Sequence, residues 1–268
     1  MADADDLFLN GARVEATPLG ALIADNYGHF TVLQVEDARA RGLGLHLARL
    51  DEGSRVLFGS ALEPARVRAY LRAALAGVRG AQVLRVHVFA RAFDRQRPGA
   101  PVVPDVLVMR TRAVPRAATP LAVKTFHHRR VLPEIKHVGT FPLFHFRRLA
   151  QAEGFDDALF VDAAGEIAEG SVWNVVFFDG ARFVWPAAPQ LPGVAKRLLQ
   201  TGLHRLGQPS EERALALGDL ERFRAAFFSN ALQPVRPLAR IDAVEFAGDA
   251  AAAATLAAAY ETNPWEDI

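Results

Sequence analysis

This sequence reads as a mixed α/β chain built in two parts. Three observations point there. Short apolar runs flank turn residues within the first 45 positions, later segments carry apolar residues at helical spacing, and a stretch with two prolines, Ala113 to Pro120, separates two halves that each hold strands and helices. A length of 268 residues suits one large domain or two medium ones, and 51% hydrophobic residues can bury a sizeable core. The expected division is a smaller part over residues 1–114 and a larger part over 115–268, joined near residue 115.

Taken in order, Leu7 to Val14 reads as a hairpin around Asn10-Gly11. A second strand pair is expected near His29 to Val35 and Arg41 to Leu43. His46 to Phe58 is a helix by the spacing of Leu47, Leu50 and Val56. Pro64 to Leu75 is another, with Pro64 tolerated in its first turn. Val83 to Ala90 and Val103 to Arg110 alternate like paired strands. After the linker come a strand, Leu121 to Phe126, and an amphipathic helix, Phe141 to Glu153, ended by Gly154. Ala158 to Val161 is a strand, and Ala164-Gly165 turns into Glu166 to Ala168. Asn174 to Phe178, Asp179-Gly180 and Arg182 to Trp185 make the clearest hairpin. Pro192-Gly193 opens a helix through Leu206, a helix-like segment precedes the strand Ala225 to Phe228, and the alanine tract Ala250 to Ala259 is a further helix.

Composition narrows the function. A net charge of +1 gives no reason to expect nucleic acid or an acidic membrane as partner. The absence of cysteine excludes disulfides, thiolate metal sites and a cysteine nucleophile. The opening Met-Ala-Asp-Ala-Asp-Asp lacks the basic and apolar regions of a signal peptide, and no apolar run reaches membrane-spanning length, so a cytoplasmic protein is expected. His127, His128 and His137 lack a carboxylate cluster at ligand spacing, so no metal site is expected. Of 31 basic residues only three are lysines, Lys124, Lys136 and Lys196, so chemistry that needs an amine has few candidates.

Lys136 stands between Ile135 and His137, ahead of a helix. Taken alone it reads first as a surface lysine, a reading that the scarcity of lysines weakens only a little; the other reading is an amine made reactive by partial desolvation. Glu169, in Glu-Gly-Ser-Val-Trp-Asn, is either turn chemistry or a buried carboxylate facing a cationic ring nitrogen. Leu191-Pro192-Gly193-Val194-Ala195-Lys196 offers the free N–H groups of a helix start, a generic phosphate site. Arg49, in His46-Leu-Ala-Arg-Leu50, is a solvated helix residue or a fixed positive charge beside that site. Arg91, Arg129 and Arg130 are candidate clamps for a carboxylate, and each is also an ordinary surface or structural arginine.

In order and combination these segments resemble the fold-type IV pyridoxal-phosphate enzymes: class IV aminotransferases and 4-amino-4-deoxychorismate lyases. The resemblance runs from Phe8-Leu-Asn-Gly11 through Tyr27-Gly28, His46 to Leu50, Ile135-Lys136-His137, Asp156 to Asp162, Glu169-Gly-Ser171 with Asn174, and Leu191-Pro-Gly193, to Ser229 to Val235. It implies a small N-terminal α/β domain, a larger C-terminal β-pseudobarrel domain, pyridoxal 5'-phosphate as cofactor between them, and a homodimer. Residue by residue it implies that Lys136 forms the Schiff base and Glu169 pairs with the pyridine nitrogen. Arg49 and the backbone N–H groups of Val194 and Ala195 take the phosphate, and Ser229 and Asn230 lie in a loop that adds contacts to it. The implied activity is transfer of an amino group between an amino acid and a 2-keto acid. The lyase, eliminating pyruvate from an amino-chorismate in folate synthesis, is the alternative, and a non-catalytic homologue that only binds the cofactor is a further one. Where the family has Gly-Ile-Thr-Arg this chain has Gly193-Val194-Ala195-Lys196, and Phe141 stands where branched-chain enzymes have tyrosine.

Overall fold

The computed structural model describes residues 6–13 and 25–268. Val14, the expected end of the first hairpin, and the acidic start up to Asp5 lie outside them. The chain divides into two compact units. One comprises Met1–Pro115, Ile135–Gly139 and Pro264–Ile268; the other comprises Arg116–Glu134 and Thr140–Asn263. The first break falls in the proline-bearing linker, which has no regular structure. A single cut at 114/115, however, does not describe this division, because two later segments return to the first unit. One of them carries Lys136.

The first unit is a seven-stranded antiparallel sheet with two helices. Its strands are β1 (Asp6–Leu9), β2 (Ala12–Arg13), β3 (His29–Glu36), β4 (Arg39–Arg41), β5 (Ala81–Phe89), β6 (Asp105–Arg112) and, from the end of the sequence, β16 (Trp265–Asp267), in the order β16-β4-β3-β5-β6-β1-β2. Asn10 (φ 50) and Gly11 (φ 83) give the first hairpin the left-handed turn its two-residue loop requires. Asp37 and Ala38 (φ 46 and 59) do the same between β3 and β4. The second strand pair therefore ends at Arg41, and Leu43, read from the sequence as strand, instead starts a helix after the left-handed Gly42. That helix, α1 (Leu43–Phe58), buries Leu43, Leu47, Leu50 and Leu57 against Leu33, Leu84 and Val86 of the sheet. Val56, counted on its apolar face from spacing, is 54% exposed. α2 (Pro64–Leu75) adds Val67, Leu71 and Leu75 to the same core.

The second unit is a mixed nine-stranded sheet that curls on itself. Its strands are β7 (Leu121–His127), β8 (Asp157–Val161), β9 (Ile167–Gly170), β10 (Asn174–Phe178), β11 (Phe183–Pro186), β12 (Ser210–Arg213), β13 (Ala225–Ser229), β14 (Arg236–Ile241) and β15 (Val244–Glu245). The order is β12-β11-β10-β13-β14-β7-β8-β9, with β15 paired to β14. At the β9 edge Ile167 N donates to Leu215 O at 2.7 Å and Glu166 bridges to Ala216, just beyond β12 at the opposite edge. The curl thus nearly closes the sheet and makes the expected pseudobarrel. Side chains such as Val175, Phe177, Val184 and Phe228 fill one continuous core. β8, β10 and β13 are buried almost throughout, which accounts for their nearly unbroken apolar sequence.

Three helices accompany this sheet: α3 (Phe141–Ala152), α4 (Val194–Arg205) and α5 (Ala250–Glu261). Asp249 caps α5 by accepting from Ala252 N at 2.9 Å. α4 and α5 touch at Gly202, where a Cβ would fall 1.9 Å from the carbonyl oxygen of Ala259. No helix among the described residues is long and apolar enough to cross a membrane. Gly202→Ala is expected to push α4 off α5 and lower unfolding stability by about 1–3 kcal/mol, measured by urea denaturation.

Candidate functional site

In the second unit the side chain of Asn174 organises the site. It is buried at the start of β10, directly opposite Ser229 on β13. Its Nδ2 donates to Leu191 O and to Gln190 Oε1, both at 2.9 Å. Gly193 packs so closely that a Cβ there would lie 1.9 Å from Asn174 Oδ1, so only glycine fits. This contact sets the start of α4 beside the end of β13. The N–H groups of Val194 and Ala195 precede the first helical hydrogen bond, from Arg197 N to Gly193 O at 3.0 Å. No side chain caps them, and the first turn has no acidic residue. Next to them the Ser229 hydroxyl is buried with no hydrogen-bond partner. Unsatisfied helix N–H groups and an orphaned buried hydroxyl call for an anionic acceptor, and a phosphate meets that need.

Glu169 lies near the end of β9, 5% exposed. The turn that follows it is tight: Gly170 N donates to Trp173 O at 2.8 Å, and the Trp173 ring covers Gly170. Below the turn Ser171 Oγ donates to Asp157 Oδ1 at 2.6 Å, and Arg147 of α3 donates to Ser171 Oγ and pairs with Asp157 Oδ2, both at 2.8 Å. The neighbouring loop is tied in by Asn230, whose Nδ2 donates to Val172 O at 3.4 Å. Asn230 Oδ1 accepts from the backbone of Leu232 and Gln233, so this side chain serves the loop's own shape. Lys196, 4% exposed, bonds Glu212 Oε2 at 3.2 Å; burial lowers its pKa and Glu212, then Glu169, oppose that shift. The second unit thus gathers Glu169, Val194, Ala195, Ser229 and Asn230.

The first unit gathers the other two candidates. Residues Ile135–Gly139 add to the start of β3: Phe30 N donates to Lys136 O and Val138 N to Gly28 O, both at 2.9 Å. Ile135 anchors the segment in the core, and Lys136 Nζ rests 4.9 Å from the centre of the Phe30 ring. Arg49 is half-buried on α1, one turn after His46. His46 is buried, shares a 2.7 Å hydrogen bond with Thr31 Oγ1, and has its pKa lowered to about 3 by burial first, then by the charges of Arg49 and Lys136. His29, bonded to Ser54 Oγ at 3.2 Å, falls to about 3 by burial and the nearby His87; His87 falls to about 4 by burial and Arg85.

Spacing does not reveal these histidine pairs or the role of Asn174. The only local signal for Asn174 is its place three residues after Ser171. The three carboxylate-clamp candidates separate on contact. Arg91 is held by Asp105, Nε to Oδ2 at 3.1 Å and an outer nitrogen to Oδ1 at 2.8 Å. Arg130 is buried, and Arg129 is exposed; both line an open depression of about 560 Å³ with Val131 to Glu134 and Pro189.

The profile of amino-transferase class IV matches residues 28–241, and the chain belongs to that family. Class IV aminotransferases use pyridoxal phosphate, so the protein is a pyridoxal-phosphate-dependent enzyme. No curated protein matches the chain. Among solved structures the fold is similar to a branched-chain amino acid aminotransferase from Escherichia coli: TM-score 0.82, 16% identity, 95% of this chain and 92% of that one. A branched-chain aminotransferase from Thermoproteus uzoniensis with norvaline gives TM-score 0.82, 18% identity, 96% and 92%. A fold IV transaminase from Curtobacterium pusillum gives TM-score 0.79, 20% identity, 95% and 98%.

The buried histidines carry a pH signature. Each stays neutral when folded and takes up a proton near pH 6.5 when unfolded, so stability is complete above that pH and falls as pH drops toward the folded values of about 3 to 4. Between pH 7.5 and 5.5 each of the three is expected to remove about 1.4 kcal/mol of unfolding free energy. Urea titrations at the two pH values check this, and His46→Gln should remove one such share of the difference.

Proposed function

We propose that this chain transfers an amino group between an amino acid and a 2-keto acid, with Lys136 as the residue that carries the cofactor. The observation that carries the proposal is the arrangement around Asn174: uncapped N–H groups of Val194 and Ala195 beside the partnerless Ser229 hydroxyl, in the same unit as the buried carboxylate of Glu169. Those groups suit a phosphate and a cationic ring nitrogen, the two ends of pyridoxal phosphate. Arg49 would add a fixed positive charge for the phosphate, and Lys136 would supply the amine.

When bound, pyridoxal phosphate serves as an electron sink for charge that develops at the substrate's α-carbon. The chain's own residues do the rest. Lys136 Nζ would take the proton from the substrate's α-carbon as general base. Glu169 would offer its carboxylate to the ring nitrogen and favour positive charge there. The α4 start and Ser229 would hold the phosphate, and Arg49 is the arginine that the family resemblance assigns to it; a held phosphate would fix the orientation of the reacting bonds. Asn230 contributes by shaping the loop after Ser229. With Arg91 committed to Asp105, the exposed Arg129 is the clamp candidate that best suits a substrate carboxylate.

We further place the protein in the cytoplasm as a homodimer. Support for the dimer comes from large apolar side chains exposed on the second unit, Phe141 at 76%, Val131 at 78% and Phe144 at 49%. Light scattering is expected to give twice the chain mass of 29.2 kDa.

The central test is the visible spectrum of purified protein with added pyridoxal phosphate. Wild type should show a protein-bound band that borohydride fixes as an adduct on Lys136, while Lys136→Ala should show only the free cofactor. Identical spectra would remove Lys136 from its role. An amino-donor assay completes the reading. Pyruvate released from an amino-chorismate with no keto acid consumed would replace the transferase by the lyase.

A further inference from the structure

Arg130 and Glu169 face each other inside the second unit. Arg130 Nε lies 3.8 Å from Glu169 Oε1, and the two side chains are only 5% and 6% exposed. At that distance the contact is an ion pair longer than a hydrogen bond. Charges at such depth have lost most of their hydration, so each is stabilised by the opposite charge that faces it. Burial lowers the pKa of the Arg130 guanidinium and Glu169 raises it, but arginine starts so high that the group stays cationic. Lys196 also acts on Glu169, yet its amine is bonded to Glu212 at 3.2 Å.

From sequence, Arg130 stands with Arg91 and Arg129 as a possible clamp for a substrate carboxylate. Contacts assign the three differently, since Arg91 is bound by Asp105 and Arg129 is exposed. We propose that Arg130 is a positioning residue that keeps the Glu169 carboxylate ionised and fixed, and that it does not bind the substrate carboxylate. The inference rests on Glu169 being the group that faces the cofactor's ring nitrogen. Arginine suits this task because its guanidinium stays charged when buried, whereas the ammonium of lysine shifts its pKa readily on burial.

The test compares wild type, Arg130→Met, Arg130→Lys, Glu169→Gln and the double variant Arg130→Met with Glu169→Gln. In cofactor-free protein, Arg130→Met should lower the melting temperature by roughly 5–15 °C, the scale of removing one member of a buried ion pair. Adding Glu169→Gln should restore part of that loss, and Arg130→Lys should lose less than Arg130→Met. In loaded protein, Arg130→Met should displace the pH titration of the visible band when Glu169 is present and leave it unmoved in the Glu169→Gln background. With both substrates, kcat should fall by about tenfold or more while KM changes by less than about twofold, the pattern of a lost transition-state interaction.

A tenfold rise in KM with an undisturbed visible band would overturn the proposal and make Arg130 the substrate clamp. Additive melting losses in the double variant would also overturn it. The Glu169 reading has its own control: if Glu169→Gln alone leaves the visible band and its pH titration unchanged, that reading fails and this inference falls with it. Should Arg130→Met not fold, the comparison of Arg130→Lys with the double variant decides on the same readouts.

Discussion

Everything that makes the second unit's site follows from the contact between Asn174 and Gly193. Asn174 is buried and its amide nitrogen serves two acceptors, so the loop before α4 is pinned to the sheet at one point. A buried carboxamide that lost these partners would leave polar groups unsatisfied, which makes the joint costly to open. The absent side chain at Gly193 lets the helix begin against that joint. The consequence is geometric. The uncapped N–H groups of Val194 and Ala195 sit near Ser229, because β13 pairs with β10 residue for residue at Asn174. The uncapped groups at this joint are backbone placed by a side chain, so the start of α4 keeps its N–H groups whatever side chain stands at position 195.

The first unit solves a different problem, that of carrying cations on a packed sheet. Lys136 reaches it on a segment far along the chain, added as an extra rung to β3. Beneath lie histidines that burial keeps neutral: His46 against Thr31 and His29 against Ser54. A charged imidazole at position 46 would add a third positive group beside Arg49 and Lys136. Neutral rings supply polar packing under α1 without that repulsion.

Much of the fold is readable from local pattern. Asn10-Gly11 and Asp179-Gly180 mark hairpins, and α2 begins and ends where Pro64 and Leu75 suggest, because turn chemistry and helical spacing act over a few residues. Other parts have no such signal. β14 contains Pro237, which ordinarily argues against a strand, and β12 is Ser-Glu-Glu-Arg, with no apolar alternation. Both exist because neighbouring strands offer them hydrogen bonds. Leu43 reads as strand by pattern and is the first residue of α1, because Gly42 turns the chain just before it.

For the site the division is similar. The chemical inventory is legible in the amino acids alone: few lysines, no cysteine, a glutamate ahead of Gly-Ser, and a Pro-Gly helix start, in an order resembling one enzyme family. So are the places where the chain turns, because those conformations are properties of single residues. Partners, by contrast, come from the folded chain. Folding sets Arg130 against Glu169, binds Arg91 to Asp105, and returns residues 135–139 to the first unit. The physical reason is that ion pairing and burial depend on distance in space, and residues separated by tens of positions acquire that distance only when the sheet has closed around them.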